Sequence, residues 1–288
     1  MNSILKSKSQ LDRFLEAVYP EGERVEARST WTQMLEGKTL KYLGRNFLRD
    51  RDVQAVLTKQ SFGTDYKQMR SQEMSSGVRS FQRLVISARE RSDQLWSWLA
   101  SAKIKFTVFQ QELQDLIDST YEQAYRIGAK ASGSQFGVTT PEAVELSATE
   151  RDYIDSAAKE EKRYLKSFLL ELKQKRDEKV FKDRFARYLQ SVEGIYRAGL
   201  INNTHPYSKI LWIANPGCCP DCLLAARLSP YTKFNIPWQP KSGFSRCLNN
   251  CKCRLIIKDA TPEEVVQITA ANTRDQLVEL LRKNRQQR

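Results

Sequence analysis

Residues 217–222 read GCCPDC and residues 246–258 read RCLNNCKCRLIIK, and together they hold all six cysteines of a 288-residue chain: Cys218, Cys219, Cys222, Cys247, Cys251 and Cys253. A Cys-Pro-Asp-Cys turn, a spacer of 24 residues, then Cys247 and a Cys-Lys-Cys is the spacing of two knuckles closing on one tetrahedral ion. Zinc is the expected occupant, because a tight turn lets two thiolates meet it at about 2.3 Å without straining the backbone. Pro220 is expected to stiffen the first turn. The second half offers three sulfurs, those of Cys247, Cys251 and Cys253, for two places, and Cys218 stands beside Cys219 as a substitute. Disulfides and buried free thiols are the alternatives. The N-terminal MNSILKSKSQLDRF has no apolar run of the secretory kind, which favours thiolate and metal over disulfide.

The segments around the knuckles read as a small β module. Ile210–Ile213 and Arg254–Ile257 are short apolar runs expected to form strands that the metal pins together. Pro230 to Gly243, with three prolines and Trp238, reads as a loop between them. A closing helix follows, with Thr261 capping Pro262 and Glu263 and continuing through Val265, Val266, Ile268, Leu277, Leu280 and Leu281.

Ahead of the module the apolar residues recur with helical period. Phe109, Leu113, Leu116, Ile117, Thr120, Tyr121 and Ala124 mark one face of a helix running to about Ala131. Thr140 and Pro141 offer a cap and a first-turn proline, and Ser147 to Glu150 spells a capping box. Behind that box, residues 154–172 describe a long helix with a charged outer face. A third helix, from about Asp177 to Ala198, is expected to stop at Gly199. The first hundred residues read as several short helices, around Leu11–Val18, Trp31–Leu35 and Phe81–Leu99, with Ser61–Ser76 as a loop. The aromatic residues of the longer stretch fall on apolar stripes and are expected in the core. The fold expected is therefore mainly α (α+β). Its parts are an N-terminal helical region, 1–106, a helical bundle, 107–199, a cysteine-rich module, 200–260, and a C-terminal helix with a basic tail, 261–288.

The formal net charge is +13 and the pI near 9.5, which points to an acidic partner, nucleic acid foremost. Candidate phosphate contacts are Lys252 and Arg254 in the module and Arg282, Lys283, Arg285 and Arg288 in the tail. No run of 18 apolar residues is present, so no membrane span is expected.

The order of these features resembles the phage head morphogenesis family, the minor head proteins typified by the F protein of phage Mu. The resemblance covers residues 108–258 and rests on AYRIGAK, SVEGIYRAG, ILWIA, CPDC and CKCRLI. Tyr125 and Gly128, Glu193, Trp212, Cys219 with Cys222, and Cys251 with Cys253 stand at the family's positions. Where the family has a His before its final Cys-x-Cys, this chain has Cys247. The resemblance implies a zinc site of Cys219, Cys222, Cys251 and Cys253, with Cys247 as the alternative ligand. It implies a structural protein of a tailed-phage virion at the portal vertex or inner capsid face. Its partners would be the portal protein, the major capsid protein or both, and packaged DNA held non-specifically. Residues 1–107 lie outside the resemblance and would serve as a docking arm.

Two other classes compete. A nuclease of the HNH type needs at least two histidines, and the chain has only His205, expected to be capped or at the surface. No Gly-rich phosphate loop is present. Catalysis is therefore not expected. A zinc-containing nucleic-acid-binding protein unrelated to phage accounts for charge and cysteines. It leaves the long helical region unexplained, and Leu223–Ala226, directly behind the first knuckle, is apolar where a reading helix would be polar.

Overall fold

The computed structural model describes residues 65–132, 138, 140–242, 245–247, 250–271, 276, 279 and 283. The helices expected around Leu11–Val18 and Trp31–Leu35 lie outside the described residues. Four long helices come first: α1 (Asp65–Ala100), α2 (Phe106–Ala131), α3 (Ala148–Lys175) and α4 (Glu178–Asn202), with a 3₁₀ turn at Pro141–Ala143. Two strands and two short helices follow: β1 (Ser208–Ile213), α5 (Pro220–Arg227), β2 (Arg254–Asp259) and α6 (Pro262–Ala271). The protein is thus mostly helical with a small two-stranded sheet and a cysteine cluster late in the chain. Among the described residues the chain divides after Asn203 into a helical unit, 65–203 with 241 and 242, and a cysteine unit built from the rest. No helix among the described residues is long and apolar enough to cross a membrane.

In the helical unit α2 is the central element, packed by α4, α1 and α3. Its apolar face, from Phe109 and Leu113 to Tyr121 and Tyr125, is buried. An aromatic layer closes one end: Trp96 stacks on Phe181 at 4.9 Å, and Phe109 lies 5.5 Å from Phe181. Such pairs add about 0.5–1.5 kcal/mol each beyond the area they bury.

Two glycines set the spacing of α2 and α4. A Cβ on Gly128 would lie 2.0 Å from the Tyr196 carbonyl oxygen, and one on Gly199 would lie 2.2 Å from that of Tyr125. Gly199 does not stop α4, as expected from sequence; the helix runs through it to Asn202. The cost of a helical glycine, about 1 kcal/mol against alanine, is offset by backbone contacts that no side chain would allow. The same physics overturns the loop expected at Ser61–Ser76. The residues from Asp65 onward are helical because Gly77 brings α1 onto α2, where a Cβ would meet that of Ala131 at 2.3 Å, and because Glu73 pairs with Lys130 at 2.8 Å. Tertiary contact overrides weak local propensity.

The capping box forms as the sequence predicts and does more than cap. Glu150 Oε2 accepts from the Ser147 backbone N–H at 2.9 Å, and the Ser147 hydroxyl accepts from Glu150 N–H. Its other oxygen, Oε1, accepts from Tyr125 Oη at 2.7 Å and from Asn203 Nδ2 at 3.1 Å. The carboxylate is buried, and with the Ser147 hydroxyl also donating to Oε2 at 2.8 Å, four donors satisfy it in place of water. Glu193 is held by Arg197 and Lys241, both at 2.5 Å. Burial works to raise its pKa, but the two cations outweigh burial and hold it below the usual carboxylate range.

In the cysteine unit β1 and β2 pair antiparallel, from Ser208 opposite Asp259 to Ile213 opposite Arg254. Ile210 and Trp212 are buried, and Trp212 meets Trp238 edge to face at 6.0 Å. The loop after α5 returns to β1 through Tyr231, which exchanges backbone hydrogen bonds with Ile210. Thr261 caps α6 reciprocally with Glu264. The helix is anchored where Thr269 Oγ1 meets Thr232 Oγ1 at 2.8 Å and Asn235 Nδ2 donates to Ile268 O. His205 is buried, not at the surface; its Nδ1 accepts from the Tyr207 N–H at 3.0 Å.

Candidate metal centre

The strand register builds this site. β1 ends at Ile213 opposite Arg254, the first residue of β2, so the chain leaving β1 toward the first cysteine pair passes the chain that enters β2 from the second. Asn215 marks the crossing: its backbone N–H reaches Cys253 Sγ at 3.4 Å, and its carbonyl accepts from Cys218 N–H. Gly217 turns the chain with φ +76°, a region that favours glycine.

The first pair does not form the simple turn expected from sequence. Pro220 is the first residue of α5, Cys219 is its N-terminal cap position, and the Cys219 carbonyl accepts from Leu223 N–H. Proline fits there because the first helical N–H needs no partner. Cys219 and Cys222, three apart, then share one face at the positive end of the helix, where thiolates are favoured. In the second pair, Cys251 and Cys253 are both buried while Lys252 and Arg254 are exposed, the alternation of an extended chain.

Five sulfurs gather. Cys219 and Cys247 are 3.4 Å apart, Cys222 and Cys247 3.6 Å, and Cys222 and Cys251 3.5 Å. Four sulfurs at about 2.3 Å from one tetrahedral ion stand about 3.8 Å apart, so these separations come within a few tenths of an ångström of that polyhedron's edges. They are far longer than a disulfide bond, about 2.05 Å, and all six cysteines are free. The thiols form two triads that share Cys222: Cys219, Cys222 and Cys247, and Cys222, Cys251 and Cys253. Cys247, at the position where a sequence reading leaves the ligand open, therefore touches both members of the first pair. Cys218 belongs to neither triad.

Their protons are shared unevenly. Cys222 and Cys251 share a hydrogen bond in which either thiol can donate, and that bond, against burial, brings Cys251 down to about 5 while Cys222 is raised strongly. Burial lifts Cys247 to about 11. Cys219 is lowered: burial opposes this, and the backbone N–H of Cys222 and the Cys247 thiol prevail. Sulfurs this close cannot all ionise unless a cation stands among them. The cluster could hold a metal ion, and its all-sulfur donor set suits a soft or borderline one.

Asp221, between the paired cysteines, is a residue of the site that the spacing argument passes over. It is fully buried, accepts from the Arg246 backbone N–H at 3.0 Å, and has Arg246 Nε 3.5 Å from its other oxygen. Arg246 immediately precedes Cys247, so this carboxylate ties the first cysteine pair to the segment that carries Cys247. The one local sign of it in the sequence is that an acid stands inside a Cys-x-x-Cys.

Of the candidate phosphate contacts, Lys252, Arg254 and Lys283 are exposed, and Lys283 lies 3.8 Å from Glu279. Arg282, Arg285 and Arg288 lie outside the described residues. No protein-family model, no curated protein and no solved structure matches the chain.

Proposed function

We propose that this chain is a structural minor head protein of a tailed phage, whose cysteine unit is stapled by one zinc ion. The observation that carries the reading is the ordered set of Tyr125, Gly128, Glu193, Trp212 and the two cysteine pairs, several of which have structural work to do. Gly128 allows close helix packing, Tyr125 joins the Glu150 network, Glu193 pins Lys241, and Trp212 on β1 packs edge to face on Trp238. These roles suit a scaffold more than a catalyst. Zinc would be held by Cys219, Cys222 and two of Cys247, Cys251 and Cys253. A two-stranded sheet is marginal alone, so bound metal would supply folding energy to this unit.

A zinc-containing nucleic-acid-binding protein unrelated to phage is the second reading, favoured by the net charge of +13. The α5 helix behind the first cysteine pair offers it little: eight residues long, it carries Arg227 as its one cation. Elemental analysis of protein purified without chelator should find about one zinc per chain. Quantitative mass spectrometry of purified particles from cells carrying the gene and its neighbours should find the chain in heads at low copy number; its exclusion from heads would overturn the phage assignment.

A further inference from the structure

The outer face of the α3–α4 hairpin carries more positive charge than its own packing uses. Between Lys162 and Arg187 the sequence holds ten Lys or Arg against four acids. Two of those acids are engaged at the start of α4: Asp177 caps the helix through the Val180 N–H, and Glu178 pairs with Lys182. Neighbouring cations are also engaged, Lys162 with Asp118 and Arg163 with Glu160. In contrast Lys159, Lys166 and Lys173 are exposed and have no ion-pair partner among the described residues. Spaced by seven, they lie along one face of α3, about 21 Å from first to last. The stripe leads to Lys175, Arg176 and Lys179 around the turn, where Arg176 takes a left-handed conformation.

Helix electrostatics account for only part of this. The macrodipole favours cations in the last turn, which covers Lys173 and Lys175. Lys159 and Lys166 lie further back than that effect reaches, and Lys179 sits in the first turn of α4, where the dipole opposes it. A run of unpaired cations held on a rigid helix at regular spacing matches a partner whose charge is itself regular and linear. A duplex presents one phosphate charge per about 1.7 Å of axis, so the stripe spans about six base pairs.

We propose that the stripe Lys159, Lys166 and Lys173, with the hairpin end, is a contact surface for the phosphate backbone of a nucleic-acid duplex. Recognition is non-specific, because contacts between lysine ammonium groups and phosphates carry no base information. The surface lies wholly within the helical unit and stands whether or not the chain belongs to a phage head.

The test is fluorescence anisotropy of the full chain on a 30-base-pair duplex of arbitrary sequence across a salt series. The triple variant Lys159→Gln, Lys166→Gln, Lys173→Gln should lower the slope of log K against log salt by about 2.7, at about 0.9 for each phosphate no longer neutralised. A charge-matched control, Arg89→Gln, Lys103→Gln, Lys105→Gln, should change it by less than about 1. Circular dichroism on each variant checks that the fold is kept. The proposal is overturned if the chain fails to bind the duplex at low salt, if the triple variant keeps the wild-type slope, or if the control lowers the slope as much.

Discussion

Replacing Gly199 by alanine pits two effects of known sign against each other. In an isolated helix the change gains about 1 kcal/mol. In this structure the new Cβ would stand 2.2 Å from the Tyr125 carbonyl oxygen, 2.9 Å from its carbon and 3.1 Å from the Ala129 nitrogen. All three are backbone atoms of α2, so no side chain can rotate away. Reaching an ordinary separation of about 3.5 Å requires α2 and α4 to move apart by roughly 1 Å, and a gap of that size forfeits a quarter to a half of each dispersion attraction along the seam. Overpacking typically costs about 1–3 kcal/mol, and rigid backbone on both sides places this case at the upper end or beyond. The net loss is about 2 kcal/mol or more, a fall in Tm of about 4–8 °C for a unit of this size. Gly128→Ala should behave alike, since its Cβ would meet the Tyr196 carbonyl at 2.0 Å. The double variant should cost less than the sum, because the first separation relieves the second clash. Urea unfolding followed at 222 nm measures all three. A midpoint for Gly199→Ala above that of wild type would refute the claim that these glycines set the interhelical distance.

The cysteine unit and the helical unit should respond separately to loss of the staple: Cys222→Ser should abolish metal binding and expose the chain beyond Asn203 to trypsin, while helical circular dichroism persists. Loss of most helical signal in that variant would contradict the division at Asn203. For Glu193 the folded pKa is depressed, so its stabilising contribution is full above the unfolded carboxylate value, about 4.3, and is lost as pH falls through the lower folded value. The stability difference between wild type and Glu193→Gln should accordingly be constant near neutrality and shrink below about pH 4; a difference that persists unchanged to pH 2 would show that the carboxylate charge is not what Arg197 and Lys241 stabilise.

What could be read from the sequence was what is decided locally. Ser147 and Glu150 make a capping box because the two residues need only each other, and Ile210–Ile213 and Arg254–Ile257 read as strands because each is a short apolar run within one window. The cysteine spacing located the cluster for the same reason. Glycine is where local rules fail. They make Gly199 a stop because they know only its conformational freedom, whereas here its missing Cβ matters, and that depends on a helix about 70 residues away in sequence. The start of α1 was hidden likewise, since the Gly77 approach to Ala131 leaves no local trace. Within the site, Pro220 looked like part of a knuckle turn but opens a helix, and Asp221 gave no sign that its partner would be Arg246.

Helix ends are ordinarily where a bundle breathes. The first turn of α3 is denied that freedom by Glu150, whose second oxygen is committed to Tyr125 on α2 and to Asn203 just past the end of α4. Opening that turn would strand a buried phenol and a buried amide as well as the cap. Its amide protons are therefore expected to exchange with solvent only through the rare event that releases all three helices together, so that a residue at a helix start reports the opening of the whole unit.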